Sequence, residues 1–262
     1  MPYFIDQCNK KIWITDNLKR IISLVPSQTE LLFDLGLNEE VIGITKFCIH
    51  PTSWLREKAQ IGGTKNINIE KIQSLQPDLV IANKEENVKE QIEMIEKFCP
   101  VWTSDVHNVT TAIEMIQSIG MITQKQAEAD TMIATLKDNF SKNKPNFPLL
   151  NACYLIWKDP YITVGGDTFI NDMMHWCGLK NVFENDTRYP QILLKEIINL
   201  NCEVLLLSSE PYPFKEHHIT LLQEELPTIK IFLVDGEMFS WYGSRLLKTP
   251  TYFKQLNNLL HA

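Results

Sequence analysis

The sequence predicts an α/β protein of two Rossmann-like lobes with mainly parallel sheets, joined by a single long linking α-helix. Three observations lead there. Short β-rich runs alternate with helical patterns along most of the chain, as βα units do. Two stretches of the first half return in the same order in the second half. Between the halves lies a helical segment with no strand of its own. At 262 residues the chain also exceeds the usual size of one hydrophobic core. The expected organisation is an N-terminal α/β lobe over 1–107, a helical segment with the inter-lobe helix over 108–145, and a C-terminal α/β lobe over 146–262.

Taken in order, "RIISLV" reads as a buried strand, and "SQTELLFDLGL" as a helix with Ser27 as N-cap, Glu30 three residues on and Gly36 as its stop. "VIGIT", "NIEKIQSLQ", "DLVIA", "VKEQIEMIEKF" and "VWTSD" continue the alternation. In the middle, Thr111 with Glu114 opens one helix that Gly120 ends, and Thr123 with Gln126 opens a longer one. Ala129, Met132, Ile133, Leu136 and Phe140 keep the helical period up to Lys144-Pro145. About twenty residues at 1.5 Å each make a rod of roughly 30 Å. Such a link resists hinge bending more than a loop would.

The second series is "NACYLIW", "YITVGG", "TFINDMMHWCGL", "LLKEIINLN", "EVLLLSS", "KEHHITLLQEEL", "IFLVDG" and a last helix from about Gly243. "IEKIQSLQPDLVIANKE" (69–85) aligns without gaps against "LKEIINLNCEVLLLSSE" (194–210), and "TELLFDLGLNEEVIG" parallels "FINDMMHWCGLKNVF". Two such matches in the same order predict duplicated lobes.

Composition narrows the function. A net charge of -7 and the absence of a long Lys/Arg run argue against nucleic acid, which needs a basic footprint. Six cysteines without a CxxC pair read as buried thiols rather than a zinc ribbon or disulfide scaffold. No run approaches the ~18 apolar residues of a membrane span, and the first residues lack a signal-peptide core. "GGDTF" lacks the lysine of a phosphate loop, GxSxG is absent, and Cys48 with His50 is the one close His/Cys pair on a strand exit. No catalytic constellation or metal centre is legible.

Ligands of parallel α/β sheets bind beyond the carboxyl ends of the strands. Those exits carry Phe47, Lys84 and Glu85 in the first half, and Trp157, Glu210, Tyr212 and the stretch "LVDGEMFSWYGSRLL" in the second. Aromatic area with a few polar groups is the usual composition of a small-molecule cleft, so Glu237, Phe239, Trp241, Tyr242 and Arg245 join the candidates. The alternative for the three aromatics is packing of the last helix against the sheet. Arg245, placed in a first helical turn, opposes the dipole and calls for an anionic partner, Glu237 or a ligand.

The ordered set "RIISLVPSQTELLFDLGL", "VIGIT", "IGGTKNINIEKIQSLQPDLVIA", a linking helix and "YPQILLKEIINLNCEVLLLSS" resembles the helical-backbone substrate-binding proteins of bacterial ABC importers, most of all the cobalamin-binding branch. Siderophore- and haem-binding members share that scaffold. The resemblance implies a non-enzymatic, monomeric receptor, periplasmic or at the cell surface. It would hold a corrinoid or ferric chelate in an inter-lobe cleft, with no covalently bound cofactor, and dock on a membrane permease. By position, Phe47, Tyr161 and Tyr189 fall on aromatic pocket sites, and Thr64 stands where that family has a tryptophan. Glu70 matches the first lobe's docking acid. The second falls on Lys195, with Glu196 beside it. Two other readings stay open at this point: an intracellular chelate-handling enzyme or sensor on the same scaffold, and direct Zn or Mn binding through His50 and acids.

Overall fold

The computed structural model describes residues 2–145 and 148–261, and the chain divides into two compact units. The first runs to Val106 and adds Thr110–Ala134 and Tyr242–Arg245; the second comprises His107–Val109, Thr135–Trp241 and the residues from Leu246 onward.

The first unit starts with an antiparallel hairpin, β1 (Tyr3–Ile5) and β2 (Lys11–Trp13), which forms a sheet by itself. The main elements follow: β3 (Ile21–Ser23), α1 (Pro26–Asp34), β4 (Val41–Ile44), α2 (Trp54–Glu57), β5 (Ala59–Gln60), α3 (Ile69–Ser74), β6 (Leu79–Asn83), α4 (Lys89–Ile95) and β7 (Val101–Ser104). The five strands lie in the order β5-β4-β3-β6-β7, every pair parallel. Helices α5 (Val109–Ile122) and α6 (Gln126–Lys142) follow, and the division between the units falls inside α6.

The second unit contains β8 (Leu150–Leu155), α7 (Phe169–Trp176), β9 (Leu179–Asn181), α8 (Leu194–Asn199), β10 (Val204–Ser208), α9 (Glu216–Glu225), β11 (Lys230–Val234), α10 (Glu237–Ser240) and α11 (Thr249–Leu260), with a 3-10 turn at Ser244–Leu247. Its sheet runs β11-β10-β8-β9, again all parallel. Every residue of β6 and β10 is buried, as central strands of a parallel sheet covered on both faces must be.

The duplication is geometric. The order β4-β3-β6-β7 in one unit is β9-β8-β10-β11 in the other. Residues 69–74 and 194–199 are both helix, and 79–83 and 204–208 both strand, so counterparts stand 125 positions apart. Even the exceptional backbone repeats. Gln76 and Asn201 take φ of 48° and 52°, and Gly36 and Gly178, each just past a helix, take 80° and 79°. Glycine reaches that region without strain, which ends α1 and α7 at the same point.

Several local expectations are corrected. Ser27 does not cap α1: Pro26 takes the first turn, where its missing N–H costs nothing, and Val25 is the N-cap. Helix α5 starts two residues before Thr111, and Gly120 lies inside it; a Cβ there would fall 2.4 Å from that of Ala129, so the glycine lets α6 approach. Thr123 bonds back to the Ile119 carbonyl at 2.7 Å instead of capping α6. "YITVGG" forms no strand; Ile162 makes only isolated bridges, to Trp157 and Gln191. The last helix begins at Thr249, with the 3-10 turn before it. Strands β1, β2, β5 and β9, each of two or three residues, are too short to leave a periodic signal.

Candidate functional site

In the first unit, a buried polar network organises the loops beyond the strand ends. Gln28 Nε2 of α1 and Asn83 Nδ2 at the end of β6 donate to Ser104 Oγ at 2.5 and 3.0 Å. Asn83 Oδ1 accepts the backbone N–H groups of Glu85 and Glu86 at 2.8 and 2.9 Å. Asn87 accepts the Asn83 N–H and donates to the Thr64 carbonyl at 3.1 Å, while the Lys65 amine reaches the Glu85 carbonyl. One asparagine thus fixes both the Glu85 turn and, through Asn87, the Thr64 loop. Buried amides leave such a network only at a cost of about 1–3 kcal/mol per unpaired group.

Onto this base the unit mounts Phe47. Its ring is 51% exposed, lies against Gly63, where a Cβ would stand 3.1 Å from Cε2, and has the Lys46 amine 5.0 Å from its centroid. Cys48 beside it points inward to Thr29 and Thr45 at 3.1 Å, and burial pushes its thiol up, away from the thiolate a metal would need. Lys84 pairs with Asp105 at 2.6 Å. Among the described residues, no group of three His, Cys, Asp or Glu is placed to hold a metal ion. That finding leaves the direct Zn or Mn reading without a ligand set.

In the second unit, Trp157 is 41% exposed and packs edge-on against Tyr212, with centroids 5.7 Å apart. Tyr212 is held from behind by Phe214 at 4.7 Å and by a 3.2 Å bond between its hydroxyl and His218 Nε2. Its N–H donates to the Ile156 carbonyl. The Ile192 N–H donates to the Tyr161 carbonyl and the Thr163 N–H to the Pro190 carbonyl, both at 3.0 Å. These bonds tie the loop of half-buried Tyr189 to that of half-buried Tyr161. The Arg188 guanidinium sits 5.6 Å over the Tyr189 ring. Four candidate aromatics therefore gather on interlocked loops.

Glu210 lies close by in sequence but is largely withdrawn from solvent. Ser240 Oγ and Trp241 Nε1 donate to its Oε1 at 2.7 and 2.9 Å. Burial raises its carboxyl above the ordinary range; those two bonds pull the other way, and neighbouring Glu237 and Asp235 add to the rise.

The stretch 233–247 turns out to be largely internal. Phe239 is a core residue, with ring centroids 5.0 Å from Tyr154 and 4.8 Å from Phe253, so it offers no ligand surface. Trp241 and Tyr242 are buried as well, and burial, followed by the charges of Glu86 and Glu85, keeps the Tyr242 phenol firmly protonated. Arg245 belongs to the 3-10 turn that precedes α11, and Glu30 of α1 is an anionic partner for it. Its Nε donates to Glu30 Oε2 at 2.9 Å, with the two side chains 7% and 8% exposed. A helix acid more than two hundred positions away carries no local sequence signal.

Glu70 is exposed in the first turn of α3. Glu196 is engaged: its Oε2 accepts the Leu193 N–H at 2.6 Å, because leucine stands where Asn68 supplies a side-chain cap in the first unit. Lys195, the counterpart of Glu70, is exposed.

The profile of a family described as periplasmic binding protein matches residues 21–230. An uncharacterized ABC transporter substrate-binding lipoprotein, YvrC, of Bacillus subtilis (strain 168) is 27% identical over 213 residues, 77% of this chain and 67% of the relative. The vitamin B12-binding protein of Vibrio campbellii is 28% identical over 199 residues, 72% and 70% of the two chains. Among solved structures, the periplasmic vitamin B12 binding protein BtuF of Vibrio cholerae superposes with a TM-score of 0.79 at 20% identity, over 93% of this chain and 98% of that one. The periplasmic heme-binding protein BhuT, in complex with two hemes, gives 0.81 at 18%, over 92% and 99%. At those identities the likeness shows the fold.

Proposed function

Since the chain belongs to the periplasmic binding protein family, we propose that it captures a flat metal chelate, a corrinoid before a ferric siderophore or haem, and delivers it to an ABC importer. It is a substrate-binding protein, not an enzyme. The observation that carries the choice of ligand is an exposed aromatic on each unit, Phe47 at 51% and Trp157 at 41%, the first beside a buried polar network and the second packed on Tyr212, each beyond the carboxyl ends of its own sheet. A broad macrocycle offers apolar faces to such rings and polar edges to the loops around them. In this reading Thr64, Lys84 and Glu85 are the first unit's further contacts, with Lys84 already paired to Asp105, and Tyr189 is a further contact of the second unit. Relatives named as vitamin B12-binding proteins favour the corrinoid.

Loops held by this many internal bonds need little ordering on binding, which keeps the entropic cost low. A permease is the partner. Glu70 is the docking residue of the first unit in this reading and Glu196 that of the second, where one carboxylate oxygen also accepts the Leu193 N–H and Lys195 stands beside it. The receptor works as a monomer at the outer side of the inner membrane. Calorimetric titration with cyanocobalamin, with haemin and a ferric hydroxamate as parallel ligands, tests the assignment. One-to-one saturation by cobalamin supports it. Binding of an iron chelate alone changes the cargo, and silence from all three removes the chelate reading.

A further inference from the structure

The hairpin of the first unit presents a surface that neither sheet needs. Its cross-strand pairs are Tyr3 with Trp13, Phe4 with Ile12, and Ile5 with Lys11. Alternation sends Phe4 and Ile12 inward and leaves the other four on one outer face. Tyr3, Ile5 and Trp13 there are 50%, 59% and 55% exposed, whereas a solvated face would carry polar residues at those positions. The two rings meet edge-on at 5.5 Å, and the Lys11 amine lies 3.7 Å from the Tyr3 centroid and 5.1 Å from that of Trp13. Beside Trp13 opens a shallow hollow of about 370 Å³, with Lys10, Lys11, Lys97, Glu96 and Phe98 in its wall. Lys10 pairs with Glu96, so three lysines meet one acid in a protein of net charge -7.

We propose that this hairpin face is a contact site for an anionic phospholipid bilayer. Trp and Tyr with an aliphatic neighbour favour the headgroup boundary, and lysines close behind them attract lipid phosphates. The hollow gives a phosphate room next to the amines. The negative charge of the rest of the chain is repelled by the same surface, so the hairpin is the face that turns towards it. A second copy of the chain is a poor occupant, because a symmetric contact sets the lysine hollow against itself. The contact is independent of the chelate: a protein that binds no cobalamin still has the hairpin.

Co-sedimentation with vesicles of phosphatidylglycerol and phosphatidylcholine, against vesicles of phosphatidylcholine alone, tests it. Partition into the anionic vesicles should exceed that into neutral ones and fall with salt. Lys11→Gln should lower it about fivefold, the value of one lysine near such a surface, and Trp13→Ser with Tyr3→Ser should lower it by at least as much. Thermal melts show that the variants fold, since all three side chains point outward. Equal partition into both vesicle types, or anionic binding that the variants leave unchanged, overturns the proposal. So does a wild-type dimer in analytical ultracentrifugation that the double variant dissolves, which makes the face a contact between copies. If free glycerol phosphate raises the melting temperature through Lys11 while no vesicle binds, the hollow is a soluble-anion site and the bilayer is excluded.

Discussion

Arg245→Met should destabilise the protein without touching its ligand chemistry. The guanidinium and Glu30 are 2.9 Å apart with side chains 7% and 8% exposed, so removing the cation takes this partner away from a buried carboxylate. Breaking one side of such a pair costs about 3–5 kcal/mol. At roughly 2–4 °C per kcal/mol for a protein of this size, the melting temperature should fall by about 10 °C. The double variant Glu30→Leu with Arg245→Met removes both charges and should regain most of the loss, which a double-mutant cycle measures as coupling. Urea melts followed by circular dichroism give the energies, and cyanocobalamin titration of the folded variants gives the affinity. A cost below about 1 kcal/mol for Arg245→Met refutes the buried-pair reasoning. Unchanged stability with lost affinity restores Arg245 as a ligand contact.

Phe47→Ala should weaken binding of the cognate chelate about tenfold by calorimetry, the value of an aromatic face, and leave the melting temperature unchanged because the ring is half-exposed. Glu210 has a raised carboxyl pKa in the folded protein, so the native state takes up its proton before the unfolded chain does. Stability should therefore fall as pH rises from the ordinary glutamate range through the raised value, and level off above it. Glu210→Gln, which still accepts from Trp241, should flatten that slope and raise stability at neutral pH; thermal melts across the acid range decide. Gly236→Ala would place a Cβ 2.5 Å from Ser208 Oγ and 2.6 Å from Glu210 Cγ, and should cost about 1–3 kcal/mol through forced repacking. A melt indistinguishable from wild type would mean the loop yields freely.

What the sequence disclosed and what it withheld divide by range. The gapless match of 69–85 with 194–210 revealed the duplication because a helix, a turn with a left-handed residue and an all-buried strand each dictate residue types locally. Phe47 and Trp157 each follow an aliphatic strand within a few positions, and both side chains are exposed there. Phe239 and Arg245 were misread, since "GEMFSWYGSR" has the composition of a binding loop whether it faces solvent or core. The positions of Tyr154 and Glu30, remote in sequence, and of Phe253 on the following helix decide the matter. Asn83 carried a signal of its own: an amide closing the otherwise aliphatic strand "LVIAN" needs buried partners.

The pairing of Glu30 with a residue 215 positions later also sets a timetable for biosynthesis. The five strands of the first sheet are complete by Ser104, and that sheet can form while the rest of the chain is still being made. Its buried Glu30 can meet the Arg245 guanidinium only once that residue leaves the ribosome, about 10–40 s after Glu30 at ordinary rates of elongation. The first unit thus gains its Glu30–Arg245 pair from one of the last segments to be translated.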